Sequence, residues 1–257
     1  MDIYQHFRKE EHAFIDKVLE WKTAVEFEYS PKLSDFLDPR EQEIVKLIVG
    51  EQSDVLMKAF GGSPTSERKR VLIYPSYLTP TEEDFQLSLY QLVYPSKFVT
   101  IEHRQILGSL MSIGLKRSKY GDILIVDDLI QIIVSKEVDT FIELNLQSIG
   151  RATVSLKKRP LSEIIQQKEE WAEQVLSLSS LRLDVVISSA FQISRQKAQS
   201  IIQNGQAKLN WKIVENTAFE CKEGDIISVR GFGRLKLISN EGKSKKDKFR
   251  FTVGKQK

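Results

Sequence analysis

Ser194-Arg195-Gln196-Lys197-Ala198-Gln199-Ser200-Ile201-Ile202-Gln203-Asn204-Gly205-Gln206-Ala207-Lys208-Leu209-Asn210 is the stretch that decides how the C-terminal part of this chain folds. Ala198, Ile201 and Ile202 fall on one face of a helix, Ser194 stands at the N-cap position, and Gly205 stops the helix. Arg195, Gln196, Lys197 and Gln199 are left to face outwards. The helix start therefore sets free backbone N–H groups beside a hydroxyl and two cations, which suits a phosphate. An earlier helix is expected from the spacing of Leu183, Val186, Ile187 and Ala190. Short strands follow at 207–210, 212–214, 225–230 and 235–239, with a last one near 249–253. Lys222-Glu223-Gly224-Asp225 reads as a turn.

Charge follows the same boundary. The 257 residues hold 38 Lys+Arg and 35 Asp+Glu, a net +3. From Leu181 onward there are 16 basic and 7 acidic residues, or +9; the first 180 residues hold 22 and 28, or −6. An asymmetry of this kind points to a polyanionic partner. At 41% hydrophobic and 28% charged residues, the chain is expected to fold around packed cores. Cys221 is the single cysteine, so no internal disulfide can form. The first residues lack an apolar signal-peptide core. The most apolar run, Ile123 to Val134, is split by Asp127-Asp128 and falls short of the ~20 residues of a membrane helix. These features lead us to expect a cytoplasmic protein without membrane insertion.

Upstream, residues 2–22 read as a helix with Phe7, Phe14, Val18 and Trp21 near one face. Asp38-Pro39 marks a second helix start, an N-cap followed by Pro at the first helical position; its stripe is Ile44, Leu47 and Ile48. Residues 54–60 and 70–75 read as paired strands. The loop Gly61-Gly62 to Arg70 reads as a solvated hairpin loop, with phosphate contact through its basic end as the alternative. It lacks the pattern of a nucleotide phosphate loop. Next come a strand at 85–94, a helix at 101–113 capped by Thr100, strands at 122–126 and 129–134, a helix at 136–148 and a strand at 153–157. The order β-α-β-β-α-β is the ferredoxin-like, or RRM-like, arrangement, and the 54–60/70–75 pair is expected to extend the same sheet. RNA-recognition motifs stack bases on aromatics of the central strands. Here the third strand has none, and the first offers Tyr90 and Tyr94, which serve equally well as packing. Lys116-Arg117-Ser118-Lys119 and Lys157-Lys158-Arg159 are basic runs, each read first as structural. The expected class is α+β, with segments 1–70 (helices and hairpin), 71–165 (ferredoxin-like), 166–180 (a linker) and 181–257; the stretch near 160–180 reads as partly helical from Leu161, Ile164, Ile165 and Trp171.

Several enzyme signatures are incomplete. Arg182-Leu183-Asp184 matches a triplet of pseudouridine synthase catalytic loops, yet it lies on the first helix of the basic segment and no large catalytic domain follows. Gly231-Phe232-Gly233 has Lys236 where a cofactor loop needs its third glycine. His6, His12 and His103 do not cluster with Cys221. The sequence leads us to expect no enzyme, no cofactor and no metal.

Arg182-Leu183-Asp184, Ser194-Arg195-x-x-Ala198, Ile202-x-x-Gly205-x-Ala207-x-Leu209-Asn210 and Gly224-Asp225-Ile226-Ile227-Ser228-Val229-Arg230-Gly231 resemble the RNA-binding domain named after ribosomal small-subunit protein four. In that S-four-type family, two helices and a hairpin grip structured RNA. The resemblance carries Arg182, Ser194, Arg195, Lys197, Lys208, Asn210, Lys212 and Arg230 over as RNA-binding residues, and Arg234, after Gly231-Phe232-Gly233, joins them. Asp184 is expected to orient Arg182 or to cap the helix. Trp211 departs from the smaller residues common in that hairpin, and either stacks on a base or covers the core. Nearly the whole chain resembles the YlmH family of Gram-positive bacteria, through Ala59-Phe60-Gly61-Gly62, Glu67-Arg68-Lys69-Arg70 and Gly121-Asp122-Ile123-Leu124. That resemblance implies a non-enzymatic protein that binds ribosomal RNA or tRNA on a large ribosomal subunit carrying peptidyl-tRNA, in rescue or quality control. A cell-division adaptor anchored by RNA and an RNA-modifying enzyme are the alternatives. Six phosphate contacts would cost roughly a thousandfold in affinity between 50 and 200 mM salt.

Overall fold

A computed structural model describes residues 4, 7, 9–50, 54–166, 171–243 and 247–256. The chain divides into two compact units, Met1–Gln167 and Lys168–Lys257.

The first unit opens with α1 (His12–Glu28), β1 (Lys32–Leu37), α2 (Pro39–Val49), β2 (Val55–Phe60) and β3 (Lys69–Pro75). Asp38 caps α2 reciprocally: its carboxylate accepts from the Glu41 N–H at 2.9 Å, and its own N–H donates to Glu41 Oε2 at 2.7 Å. α1 starts ten residues later than expected; the expected residues 2, 3, 5, 6 and 8 lie outside the described ones. On α2 the inward stripe is Ile44, Val45, Ile48 and Val49, and Leu47 is exposed. β3 is the centre of a three-stranded sheet, β1-β3-β2. That sheet is separate from the next one, so the hairpin does not extend it as expected.

β4 (Leu87–Val93), α3 (His103–Ser112), β5 (Tyr120–Val126), β6 (Leu129–Ser135), α4 (Asp139–Asn145), a small hairpin of β7 (Ser148–Ile149) and β8 (Ala152–Thr153), and β9 (Ser155–Arg159) follow. The β-α-β-β-α-β order is the one expected, in an antiparallel sheet β5-β6-β4-β9. Glu102, not Thr100, stands at the N-cap of α3, and its N–H donates to Gln105 Oε1 at 2.8 Å. Tyr90, Ile132 and Val134 meet Ile106, Leu110 and Ile142 of the helices. On the other side Leu89 and Ile133 meet Phe36 of β1 and, beyond β9, Leu161 and Ile164. Gln131 is buried there as well; its Nε2 donates to Glu163 O at 3.0 Å and its Oε1 accepts from Ile165 N at 2.8 Å. Both faces of this sheet are therefore covered.

The second unit contains β10 (Trp171–Leu178), α5 (Leu183–Phe191), α6 (Arg195–Gln203), β11 (Ala207–Leu209), β12 (Lys212–Ile213), β13 (Ile226–Val229), β14 (Gly233–Lys243) and β15 (Phe249–Gln256). Its six strands lie in the order β10-β15-β14-β13-β11-β12. The two helices bury Leu183, Val186, Ile187, Ala190, Ala198, Ile201 and Ile202 against Leu209, Ile227, Leu235 and Leu237. From Trp171 onward the expected part-helical stretch is instead an edge strand, β10, in register with β15 from Trp171↔Gln256 to Leu178↔Phe249; Leu161–Glu163 form a short 3-10 helix, and residues 167–170 lie outside the described ones. With the boundary at Lys168, the second unit carries 17 basic and 10 acidic residues and the first 21 and 25. The charge division survives as +7 and −4.

Candidate nucleic-acid interface

Arg182 stands at the N-cap of α5 and Asp184 in its first turn. Asp184 is fully buried, and three side chains converge on it. Arg182 Nε donates to Oδ1 at 3.1 Å, while Arg195 Nε and Gln199 Nε2 donate to Oδ2 at 2.9 and 2.8 Å. The expectation that Asp184 orients Arg182 is met, and the structure adds Arg195 and Gln199. Burial works to raise the Asp184 pKa, but the hydrogen bonds from Arg182, Gln199 and Arg195 outweigh it, and the carboxyl is held down at about 2. Two half-exposed guanidiniums, 39% and 53% accessible, are thus pinned by one buried anion. They lose little side-chain freedom when they meet a second anion such as phosphate.

This arrangement predicts a pH signature. The folded pKa of Asp184 lies below its ordinary 3.8, so its contribution is present above the unfolded value and lost as pH falls from about 4 through 2. After discounting for the half-exposed partners, it is about 1–2 kcal/mol. Urea midpoints of the wild type and Asp184→Asn should differ at pH 6 and converge near pH 2. A constant gap across that range would remove the ionised carboxylate as the cause.

Ser194 caps α6, its hydroxyl accepting from the Lys197 N–H at 3.2 Å, and Lys197 is exposed in the same first turn as Arg195. Cross-strand register separates the other expected residues. Leu209 is opposite Lys212 and opposite Ile227, which is in turn opposite Leu235, so Lys212 lies on the helix-covered face at the sheet edge. Lys208 is opposite Ser228, which is opposite Arg234, and these lie on the other face. Arg230 is exposed just beyond β13, and its N–H donates to Gln206 O. Asn210 is spent on the fold: its Nδ2 donates to Asp225 Oδ1 and its Oδ1 accepts from Ile226 N, both at 2.9 Å. Arg182, Ser194, Arg195, Lys197 and Lys212 therefore share the helix side, and Lys208 and Arg234 do not.

Most cations in the basic runs of the first unit are held by its own groups, while Lys116 and Lys157 are exposed. Lys119 Nζ reaches Asp35 at 2.6 Å and Glu137 at 2.5 Å, and Arg117 donates to Tyr120 O at 2.7 Å. Lys158 pairs with Asp139, and Arg159 Nε donates to Gln91 Oε1. Tyr90 is buried and donates to Glu143 Oε1 at 2.7 Å. It packs under the helices of its own sheet and offers no stacking face. The loop 61–70 is not solvated as expected: Gly61, Gly62, Ser63, Ser66 and Arg70 are buried, and Asp122 accepts from the Glu67 and Arg68 N–H groups at 2.7 and 3.1 Å. Cys221 is buried, which with the nearby charges of Asp225 and Glu220 pushes its thiol up to about 12. Such a thiol is a poor nucleophile. His6 and residues 244–246 of the Lys243-Ser244-Lys245-Lys246 run lie outside the described residues. Among the described residues, no three His, Cys, Asp or Glu side chains are placed to hold a metal, and no helix is long and apolar enough to cross a membrane.

Three family models match the chain. One described as "YlmH, N-terminal" covers residues 10–78, one described as "Putative RNA-binding domain in YlmH" covers 80–163, and the S4 domain covers 181–227. The chain is 48% identical over 256 residues to ribosome-associated protein quality control protein P2 of Bacillus subtilis, spanning 100% of this chain and 99% of that protein. Over 85 residues, 32% of this chain, it is 36% identical to small ribosomal subunit protein uS4 of a Thermoanaerobacter species, covering 41% of that protein. The solved structure of cell division protein ylmH from Streptococcus pneumoniae superposes with a TM-score of 0.55 at 36% identity, over 64% of this chain and 99% of that one.

Proposed function

The chain belongs to the YlmH family, and from that premise we propose that it is a non-enzymatic, cytoplasmic factor that docks on structured RNA of the large ribosomal subunit. Ribosomal RNA, tRNA, or both are the ligand, and ribosome-associated quality control of stalled translation is the setting. The observation that carries this reading is the Arg182–Asp184–Arg195 arrangement beside the capped start of α6, within a unit of net charge +7. It presents fixed, outward cations to a polyanion, and the name of the Bacillus relative supplies the ribosomal context. Structured RNA is gripped through phosphates and 2′-hydroxyls more than through base edges, which fits a site made of guanidiniums, an ammonium and N–H groups. The first unit, with its sheet covered on both faces and most cations of its basic runs engaged within the fold, serves in this reading as a body that contacts RNA little.

Ultraviolet crosslinking of the full chain to RNA in cells tests the reading. Crosslinked peptides are expected between Arg182 and Arg234, on RNA of the large subunit. Crosslinks confined to residues 10–163, or to messenger RNA alone, would overturn it. The name of the pneumococcal relative, cell division protein ylmH, supports a second reading, an adaptor in cell division. Recovery of division proteins by the full chain after ribonuclease treatment, with no ribosomal RNA crosslink, would favour that one.

A further inference from the structure

β11 and β12 are joined by a two-residue turn, Asn210-Trp211, because Leu209 pairs directly with Lys212. Both turn residues have positive φ, 47° and 64°. This is the geometry of a type I′ hairpin turn, for which Asn-Gly is the favoured pair. Asn210 suits its position, since it tolerates the left-handed region and both ends of its amide are hydrogen-bonded. Trp211 does not suit its own. A bulky side chain in the left-handed region is strained, and glycine would remove the strain.

One edge of the indole is covered by the protein, but no core contact accounts for the strain. Trp211 is not among the side chains packed against the core cluster of its unit. Among the described residues its indole has no ring or cation partner, and its Nε1 is buried without an acceptor. A partly exposed aromatic therefore sits at the tip of a hairpin at the cost of strain and an unmade hydrogen bond. It is followed at once by Lys212, on the side of the sheet where the paired arginines lie. Strain that the fold does not use concentrates at functional sites.

We infer that Trp211 is a stacking platform for an unpaired nucleobase, so that the RNA bound by this unit carries a loop or bulge nucleotide beside its duplex. The inference rests on the reading of this unit as RNA-binding and deepens it. Every base has a π-face, so stacking tolerates sequence. It also requires a base free of its own stack, which a regular duplex does not offer. Lys212 would neutralise the adjoining phosphate.

The test uses the full chain and three RNA stems: one with a single bulged adenosine, the same stem with that bulge made abasic, and a fully paired stem. Wild-type protein is expected to bind the bulged stem about tenfold more tightly than the other two. Trp211→Gly should abolish that preference, leave affinity for the paired stem and the salt dependence unchanged, and raise the unfolding midpoint. Trp211→Phe should retain part of the preference. Equal loss on all three stems, no preference in the wild type, or a lower unfolding midpoint for Trp211→Gly would each overturn the platform. Failure of the wild type to bind any stem at low salt would instead remove the RNA-binding reading, and the platform with it.

Discussion

Binding of structured RNA is expected to weaken about fortyfold when salt rises from 50 to 200 mM, with a slope of log K against log salt near −3. The figure comes from the geometry of the second unit. Four expected cations lie on its helix side: Arg182, Arg195, Lys197 and Lys212. Asp184 is buried between the first two and cancels about one of their charges. Roughly three net charges then face the phosphates, and each releases about 0.9 counterion. Six phosphate contacts would need two of the other three expected cations, Lys208, Arg230 and Arg234; cross-strand register places Lys208 and Arg234 on the opposite face, and Arg230 lies just beyond β13. A duplex docked on one side meets the first group alone. Lys197→Glu should accordingly flatten the slope by about 1 or more and weaken binding to most structured RNAs alike. Lys208→Glu should leave both nearly unchanged. Filter binding of the full chain at five salt concentrations would measure all three proteins. A wild-type slope of −5 or steeper would overturn one-sided docking, and a slope flatter than −1 would sink the electrostatic account altogether.

The helices of that surface were legible because their signals are local. Ser194, Ala198, Ile201, Ile202 and Gly205 specify α6 within twelve residues, and Asp38-Pro39 does the same for α2. β10 was not legible for the opposite reason. Trp171, Val175 and Leu178 recur at helical spacing, and the strand exists because the backbone pairs with β15, some eighty residues away. No window of sequence contains that partner. β1 was hidden by its own polar centre: Ser34 and Asp35 break the apolar alternation, and both are used. The Ser34 hydroxyl accepts from Val71 N, and Asp35 receives Lys119 and Ser118.

The candidate site divides in the same way. Residue types and spacing identify which cations are available. They do not tell that Asp184 ties two of them together, or that register sends Lys208 and Arg234 to the far face, because both facts depend on contacts between elements. The basic runs of the first unit mislead for the same reason. Lys116-Arg117-Ser118-Lys119 resembles a phosphate contact until Asp35 and Glu137, distant in sequence, are seen to occupy Lys119.

Arg70 shows how far such a contact can go, and replacing it with Met is expected to cost the first unit about 3–5 kcal/mol. Its place after Lys69 at the end of a Gly-rich loop suggests a solvated cation, yet it is 3% exposed at the start of β3. The pairing of β1 with β3 slips between Leu33 and Phe36. That bulge frees the Ser34 carbonyl, which accepts from Arg70 Nε at 2.8 Å. Nη1 donates to Phe85 O and Gln86 O at 3.3 and 3.2 Å, just before β4. Nη2 lies 3.6 Å from Glu137, ahead of α4. One guanidinium thus ties the three-stranded sheet to the four-stranded one, and burial lowers its pKa despite the carboxylates of Glu137 and Asp35. Met fills similar space but donates nothing, so buried carbonyls lose their donors, while Glu137 keeps only Lys119 as a partner. Arg70→Lys should recover only a minority of the loss, because one ammonium cannot span carbonyls that the planar fork reaches in two directions. Hydrogen exchange of the full chain would separate the units. For Arg70→Met, protection of the slowest amides in β3, β4 and β6 should fall at least a hundredfold, with β13 to β15 unchanged. A loss below about 1 kcal/mol would show that water replaces the lost donors, and that the two sheets are held together by the apolar contacts of Phe36 with Leu89 and Ile133.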